Sequence, residues 1–219
     1  MKTKLRLIQT SFLALCFIPI SATGQSFSVD AAYGLAQKDL FDFKTGEKLD
    51  ETDIYGVNIR FTQKLKSGIV LQDGQRIIPE FFGMLSLGTG DNDFNYEKEK
   101  VDAEILTASV VGGANLRWYL TDKFSLSCGA QLGVNYTSLT ADWSFGTPTE
   151  KYSVGENSLG IVYGIGVGAE YILERNHAIR FGLDYIASTA QPKINIEYES
   201  QKMKKQSYAM FTIGYKYSF

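Results

Sequence analysis

Reactive side chains are scarce in this chain. It holds a single histidine, His177, and two cysteines, Cys16 and Cys128. One histidine and one cysteine beyond the N-terminal segment do not suggest a zinc site. Cys128 left by itself forms no internal disulfide, and it falls on an apolar strand face, where packing explains it. Hydrolysis by an activated serine commonly calls on a histidine base, and His177 stands beside Asn176 in an expected turn. Enzymatic chemistry is therefore not expected, although carboxylates alone can do acid–base work. No cofactor is expected either. Gly164-Ile165-Gly166-Val167-Gly168 is glycine-rich, but it reads as a strand with no helix after it, so it is not a nucleotide loop. A clustered basic surface is missing, which argues against nucleic acid. Long apolar runs are missing too. Past residue 24 nothing approaches eighteen continuous apolar residues, so any crossing of a membrane must be made by a closed barrel.

The N-terminus differs from the rest. Lys2, Lys4 and Arg6 precede an apolar run from Leu7 to Ile20, and Ser21, Ala22, Thr23 and Gly24 follow. That is the three-part pattern of a secretory signal, with a cut expected before Gln25. Leu15 and the apolar residues beyond Cys16 make a poor lipoprotein box. Residues 1–24 are expected to be the signal and residues 25–219 a single domain. Losing three cations moves the formal charge from −2 to −5.

From Ser26 onward the sequence alternates with period two, as strands with two unlike faces do. Phe27, Val29, Ala31, Tyr33 and Leu35 oppose Ser28, Asp30, Ala32 and Gly34. The second strand is expected over about 52–65 and the third over about 77–90. Between them Ile69-Val70, Asp73-Gly74 and Ile77-Ile78 suggest a small hairpin. Pro79 implies a strand start or a bulge. In the third strand Phe81, Leu85 and Leu87 are assigned outward. The fourth and fifth strands, about 101–120 and 124–143, meet at the tight turn Thr121-Asp122-Lys123. The sixth covers about 158–173 and the seventh about 178–187. Polar stretches at 37–51, 91–100, 146–157 and 188–206 read as four long loops. The last strand, from Ser207, carries Ala209, Phe211, Ile213, Tyr215, Tyr217 and Phe219 on one face, with Tyr208 and Met210 as apolar exceptions on the other.

The expected count is eight strands. Connections after the even strands are mostly short and those after the odd strands long, which is the asymmetry of an up-and-down transmembrane barrel. Aromatics gather near strand ends: Phe27, Phe61, Trp118, Phe124, Tyr171 and Phe219 on the turn side, and Tyr55, Tyr136, Trp143 and Tyr185 toward the loops. Two interfacial girdles follow. A soluble lipid-binding barrel would instead line its interior with apolar side chains, and the Gly, Ser, Asn and Arg face is too small and polar for that. The expectation is an all-β, eight-stranded antiparallel up-and-down transmembrane β-barrel.

These features together resemble the small outer-membrane β-barrel family of the OmpA and OmpX type, over the whole of residues 25–219. The ending Tyr215, Tyr217, Phe219 resembles that family's C-terminal signal, which the barrel-assembly machinery reads. The resemblance implies a Gram-negative outer membrane, contact with its lipid and lipopolysaccharide, and a monomer. Some such barrels modify lipid; others serve as small-solute porins. Those are the two alternatives to a structural or surface-interaction role through four external loops.

Placed by strand direction, the inward charges all fall in the periplasmic half: Asp30, Arg60, Glu80, Arg117, Glu170, Arg180, Asp184 and Lys216. Their signs nearly alternate around the ring, and opposite charges on neighbouring strands attract. A salt-bridged plug is expected, because eight strands enclose only enough room for side chains. Arg60→Ala is then expected to strand an acid. The inward glycines of the sixth strand are expected to make room for Arg117 or Tyr119. The loops carry acids mixed with Phe41, Phe43, Phe94 and Tyr96, and Lys202, Lys204 and Lys205 in the last loop; an extracellular partner or lipopolysaccharide phosphate would meet them there.

Overall fold

The structure is a computed structural model, which describes residues 24–36, 53–71, 73–96, 99–144, 151–196 and 199–219. The expected signal segment and the first long loop lie outside the described residues. Eleven strands follow in order: β1 (Gln25–Ala36), β2 (Asp53–Lys64), β3 (Ile69–Val70), β4 (Arg76–Tyr96), β5 (Glu99–Tyr119), β6 (Phe124–Ser144), β7 (Lys151–Glu174), β8 (His177–Ser188), β9 (Lys193–Ile196), β10 (Glu199–Lys202) and β11 (Gln206–Ser218). Eight of them form a closed antiparallel barrel in the order β2-β1-β11-β8-β7-β6-β5-β4, sealed by β2 against β4. Within the closed ladder each strand pairs on both sides, as lipid requires, while β4 beyond Thr89 and β7 before Val162 extend past their β2 and β8 partners.

Side-chain alternation sorts the two faces as the sequence suggested. Phe81, Leu87, Leu116, Leu132, Ile165, Leu183, Phe211 and Ile213 are exposed on the outside, and Cys128 is exposed with them. Leu85 points the same way but is half-buried. On β5 this apolar belt runs from Leu106 to Trp118. That length climbs roughly 40 Å at about 3.3 Å per residue. Tilted by about 45°, it rises roughly 30 Å, the thickness of a hydrocarbon core. Phe27, Trp118, Tyr171 and Phe219 stand exposed at its turn end, and Tyr55 and Tyr185 toward its loop end.

Pro79 is neither a strand start nor a bulge: it lies inside β4, whose ladder to β5 runs through it in register, while the ladder to β2 ends beside it. Leu65 N donates to Pro79 O at 3.0 Å. Proline has no N–H to return the bond, so β2 stops at Lys64 and the chain loops out. Pairing resumes when Ile69 and Val70 meet Ile77 and Arg76. The hairpin turns at Asp73-Gly74, where Gly74 has φ +84°. A side chain is strained at that angle, and glycine is not.

Two of the expected long loops are largely ladder. β4 and β5 stay paired out to Tyr96↔Glu99, and β6 and β7 out to Ser144↔Lys151. So the regions 91–100 and 146–157 are not loops throughout, and Phe94 and Tyr96 belong to a strand. Trp143 pairs with Val101, on the ladder beyond Leu106. Here the faces invert: Val101, Ala103, Ile105, Leu139 and Ala141 are buried inward, while Asp102, Glu104 and Asp142 are exposed. Water replaces lipid outside the sheet, so the apolar side turns in.

The chain between β8 and β11 closes that upper chamber. Thr189 N donates to Ile161 O at 2.9 Å, Gln191 N to Ser158 Oγ at 3.0 Å, and Gln191 Nε2 to Met203 O at 2.9 Å. Ala190, Pro192 and Met203 are fully buried. A Cβ on Gly160 would collide with the backbone of Ala190, so that glycine admits the segment into the barrel mouth. Among the described residues no helix is long and apolar enough to cross a membrane.

Candidate functional site: the charged lumen

Of the eight charges named from the sequence, six are nearly inaccessible, namely Asp30, Arg60, Glu80, Arg117, Glu170 and Lys216, and Arg180 and Asp184 are half-buried and line one cavity. Arg117 is the hub. Its Nε donates to Glu80 Oε1 at 2.7 Å, and its Nη1 lies 2.8 Å from Glu170 Oε2. The same Nη1 donates to Ser125 Oγ at 3.0 Å. Lys216 Nζ reaches both oxygens of Glu170, at 3.0 and 2.8 Å. One chain of charge therefore links Glu80, Arg117, Glu170 and Lys216. A second cluster joins Arg180 Nη1 to Asp30 Oδ2 at 3.1 Å and to Ser28 Oγ at 2.7 Å.

The partners differ from those that neighbouring-strand attraction suggests. Glu170 and Arg180 sit directly opposite each other on β7 and β8, yet neither pairs with the other. Three of the four bridges skip a strand. Arg117 crosses β6 at Ser125, Lys216 on β11 crosses β8 at Ala178, and Arg180 crosses β11 at Gly214. A narrow barrel curves its inner faces toward one another, and small residues on the strand between let long side chains meet. A Cβ at Gly214 would strike the carbonyl of Val29 and the side chain of Asp30. The glycine row of β7 serves different neighbours from those expected. Gly164 lies against Gln131, and Gly166 lies against Asp184.

Arg60 and Asp184 stand apart. Among the described residues Arg60 makes no ion pair. Its guanidinium carbon lies 4.1 Å from the ring centre of Phe82, and its Nη2 donates weakly to Met84 Sδ at 3.6 Å. Asp184 shares a cavity wall with it. The expected stranding of an acid by Arg60→Ala thus has no direct partner behind it. Lys64, which the sequence reading left out, also turns inward near the rim, its Nζ 5.2 Å from the Tyr119 ring centre.

Above the charges lies a layer the sequence reading missed. Phe82, Met84, Val111, Val162, Ile186 and Met210 form one buried cluster, with Ala32 and Tyr208 packed on it. The lumen face is therefore not uniformly small and polar. The signal was present in Tyr208 and Met210, the two apolar exceptions on the inner face of the last strand.

At the turn end, Tyr215 is exposed on the outer surface and Phe219 more so. Tyr217 stacks edge-on against Phe219 at 5.3 Å and against His177 at 5.2 Å, and His177 also hydrogen-bonds Tyr215 through its Nδ1. His177 is the first residue of β8 rather than a turn residue, and it belongs to this aromatic rim. The strand is fastened by Ser218 N to Asn176 O and by Phe219 N to Gln25 O, both at 2.9 Å.

Comparison with known proteins matches this architecture. The outer membrane protein OprG from Pseudomonas aeruginosa superposes with a TM-score of 0.52 at 15% identity, covering 90% of this chain and 97% of that one. The protein is an eight-stranded outer-membrane-type β-barrel. The barrel is also similar to Ail, the attachment invasion locus protein of Yersinia pestis, with a TM-score of 0.46, 16% identity and coverage of 90% and 99%. The outer membrane protease OmpT from Escherichia coli gives 0.46, 11%, 92% and 99%. No family model matches, and no curated protein matches.

Proposed function

We propose that this protein is a non-enzymatic outer-membrane barrel that acts through its external surface and has a lumen closed to solutes larger than water. The observation that carries this reading is the Arg117 hub. Four charged side chains from four strands meet within the lower lumen, in a barrel whose width leaves room for little else. Above them the apolar cluster and the inserted segment at Ala190 and Met203 occupy the remaining height. A small-solute porin needs a passage along the same axis.

The external surface is built from the extended β4–β5 and β6–β7 hairpins, whose outer side exposes Asp102, Glu104 and Asp142. Lys193 and Lys205 are exposed on the fourth connection. Such loops are where barrels of this kind meet partners, lipopolysaccharide among them. In this reading residues 1–24 are the export signal, and residues 25–219 form a monomeric barrel. Tyr215, Tyr217 and Phe219 present the assembly signal, and the apolar belt contacts outer-membrane lipid.

The test is electrical. Protein extracted from outer membranes and placed in a planar bilayer is expected to give no current steps. Steady single-channel conductance of the unmodified protein overturns the closed-lumen reading. A changed lipid A mass spectrum on expression would instead favour the lipid-modifying alternative.

A further inference from the structure

Two cavities flank the apolar cluster, and each has a different wall. The one on the charged side measures about 20 Å³ and is lined by Arg60, Phe82, Gln131, Arg180, Asp184 and Thr212 among others. The one on the loop side measures about 10 Å³ and is lined by Ile54, Ser86, Thr107, Tyr208 and Met210. A space of roughly 10–15 Å³ admits one water if polar groups receive it. In the charged-side cavity they do. Arg60 Nε and Gln131 Oε1 are buried and have no protein partner. Water there offsets a cost that unpaired buried polar atoms otherwise carry.

Between the cavities the lumen is closed by side chains that offer water almost nothing. Phe82 forms part of the charged-side wall and Met210 part of the loop-side wall, and both belong to the same cluster. The cluster therefore stands between the two cavities. Among the described residues its polar contacts are weak: Arg60 Nη2 to Met84 Sδ at 3.6 Å, the Arg60 guanidinium over the Phe82 ring at 4.1 Å, and Asn58 Nδ2 to Met210 Sδ at 4.0 Å. Narrow apolar constrictions exclude ions by failing to hold water.

We propose that this collar of Phe82, Met84, Val111, Val162, Ile186 and Met210, rather than the ion-paired layer beneath it, is the lumen's barrier to water and small ions. The inference rests on the closed-lumen reading and refines it: the charged layer excludes larger solutes and tolerates hydration, while the collar stops the water column. Methionine is well suited to the position, since its unbranched side chain fills an irregular gap and repacks easily.

The experiment compares three full-length proteins extracted from outer membranes, in planar bilayers with potassium chloride on both sides. M84A/M210A is expected to show discrete current steps at voltages where wild type shows none. E80Q/R117M, which disrupts the charged layer and leaves the collar, is expected to stay silent. Folding of each is checked by heat-modifiable migration. If M84A/M210A does not fold, M84Q/M210Q keeps the volume, adds polarity and is expected to conduct. Current through E80Q/R117M overturns the assignment, as does silence from a folded collar variant. Current through wild type is a separate result, and it overturns the closed-lumen reading itself.

Discussion

Glu80 and Arg117 hold each other across adjacent strands with no water-accessible surface to speak of. Arg117 Nε meets Glu80 Oε1 at 2.7 Å, and the other carboxylate oxygen, Oε2, is buried without a partner. Arg117 is also bonded to Glu170, so one cation serves two buried acids and Lys216 supplies the second positive charge. Such an arrangement resists the loss of one member far more than it adds stability over an apolar filling.

Arg117→Ala is accordingly expected to be the most damaging single change in the lumen. It leaves Glu80 with no cation and Glu170 with Lys216 alone. Breaking a buried pair in this way costs about 3–5 kcal/mol. Urea unfolding of the protein in detergent, followed by tryptophan fluorescence, should show the midpoint shift. An unchanged midpoint would mean the layer is hydrated charge rather than a bonded hub.

Arg60 should behave differently although it too is buried. Its contacts are the Phe82 ring and the Met84 sulfur, with no carboxylate in bonding distance among the described residues. A partly desolvated cation–π contact is worth about 1–2 kcal/mol, and removing the charge also removes its burial cost. Arg60→Met is expected to shift the same unfolding curve by about 1 kcal/mol or less. A loss matching that of Arg117→Ala would show that Asp184 depends on Arg60 more than their geometry suggests.

The belt can be tested at its middle. Ile165 is exposed on the outer face of β7. An arginine at mid-membrane depth on a barrel costs about 2–4 kcal/mol. Ile165→Arg should therefore destabilise the barrel in liposomes, whereas Asp102→Arg, on the extension above the belt, should leave it near the wild-type value. Equal effects at the two sites would place the hydrocarbon boundary elsewhere.

Phe219 contributes little packing, since most of its surface is exposed, although its N–H closes onto Gln25. Deleting it should lower the amount of folded barrel recovered from outer membranes several-fold, and leave refolding of purified chain in detergent nearly unchanged. A parallel loss in both assays would assign the residue to stability rather than to assembly.

The strand count and the two-faced alternation were readable because period two is imposed by the strand itself. Inward and outward residues separate wherever lipid and lumen differ. The same rule failed above Leu106, where the solvent outside the sheet changes from lipid to water and the apolar residues turn in. Sequence alternation persists there with its meaning reversed, so 91–100 read as a polar loop. The collar escaped for a related reason. Each of its residues sits singly on a different strand, and no local window shows that Phe82, Met84, Val111, Val162, Ile186 and Met210 meet.

The linear order of residues determined which side chains share a face of each strand, because alternation is local and needs no knowledge of neighbours. It determined where the β2 ladder ends beside Pro79 as well, since a missing N–H travels with the residue. Only closure of the barrel decided who pairs with whom. Curvature brings strands two apart within reach, so Arg117 finds Glu170 over Ser125, and Arg180 finds Asp30 over Gly214 instead of the acid beside it. That choice depends on shear and on small residues in the intervening strand, which exist as a constraint only once the sheet has met its own edge.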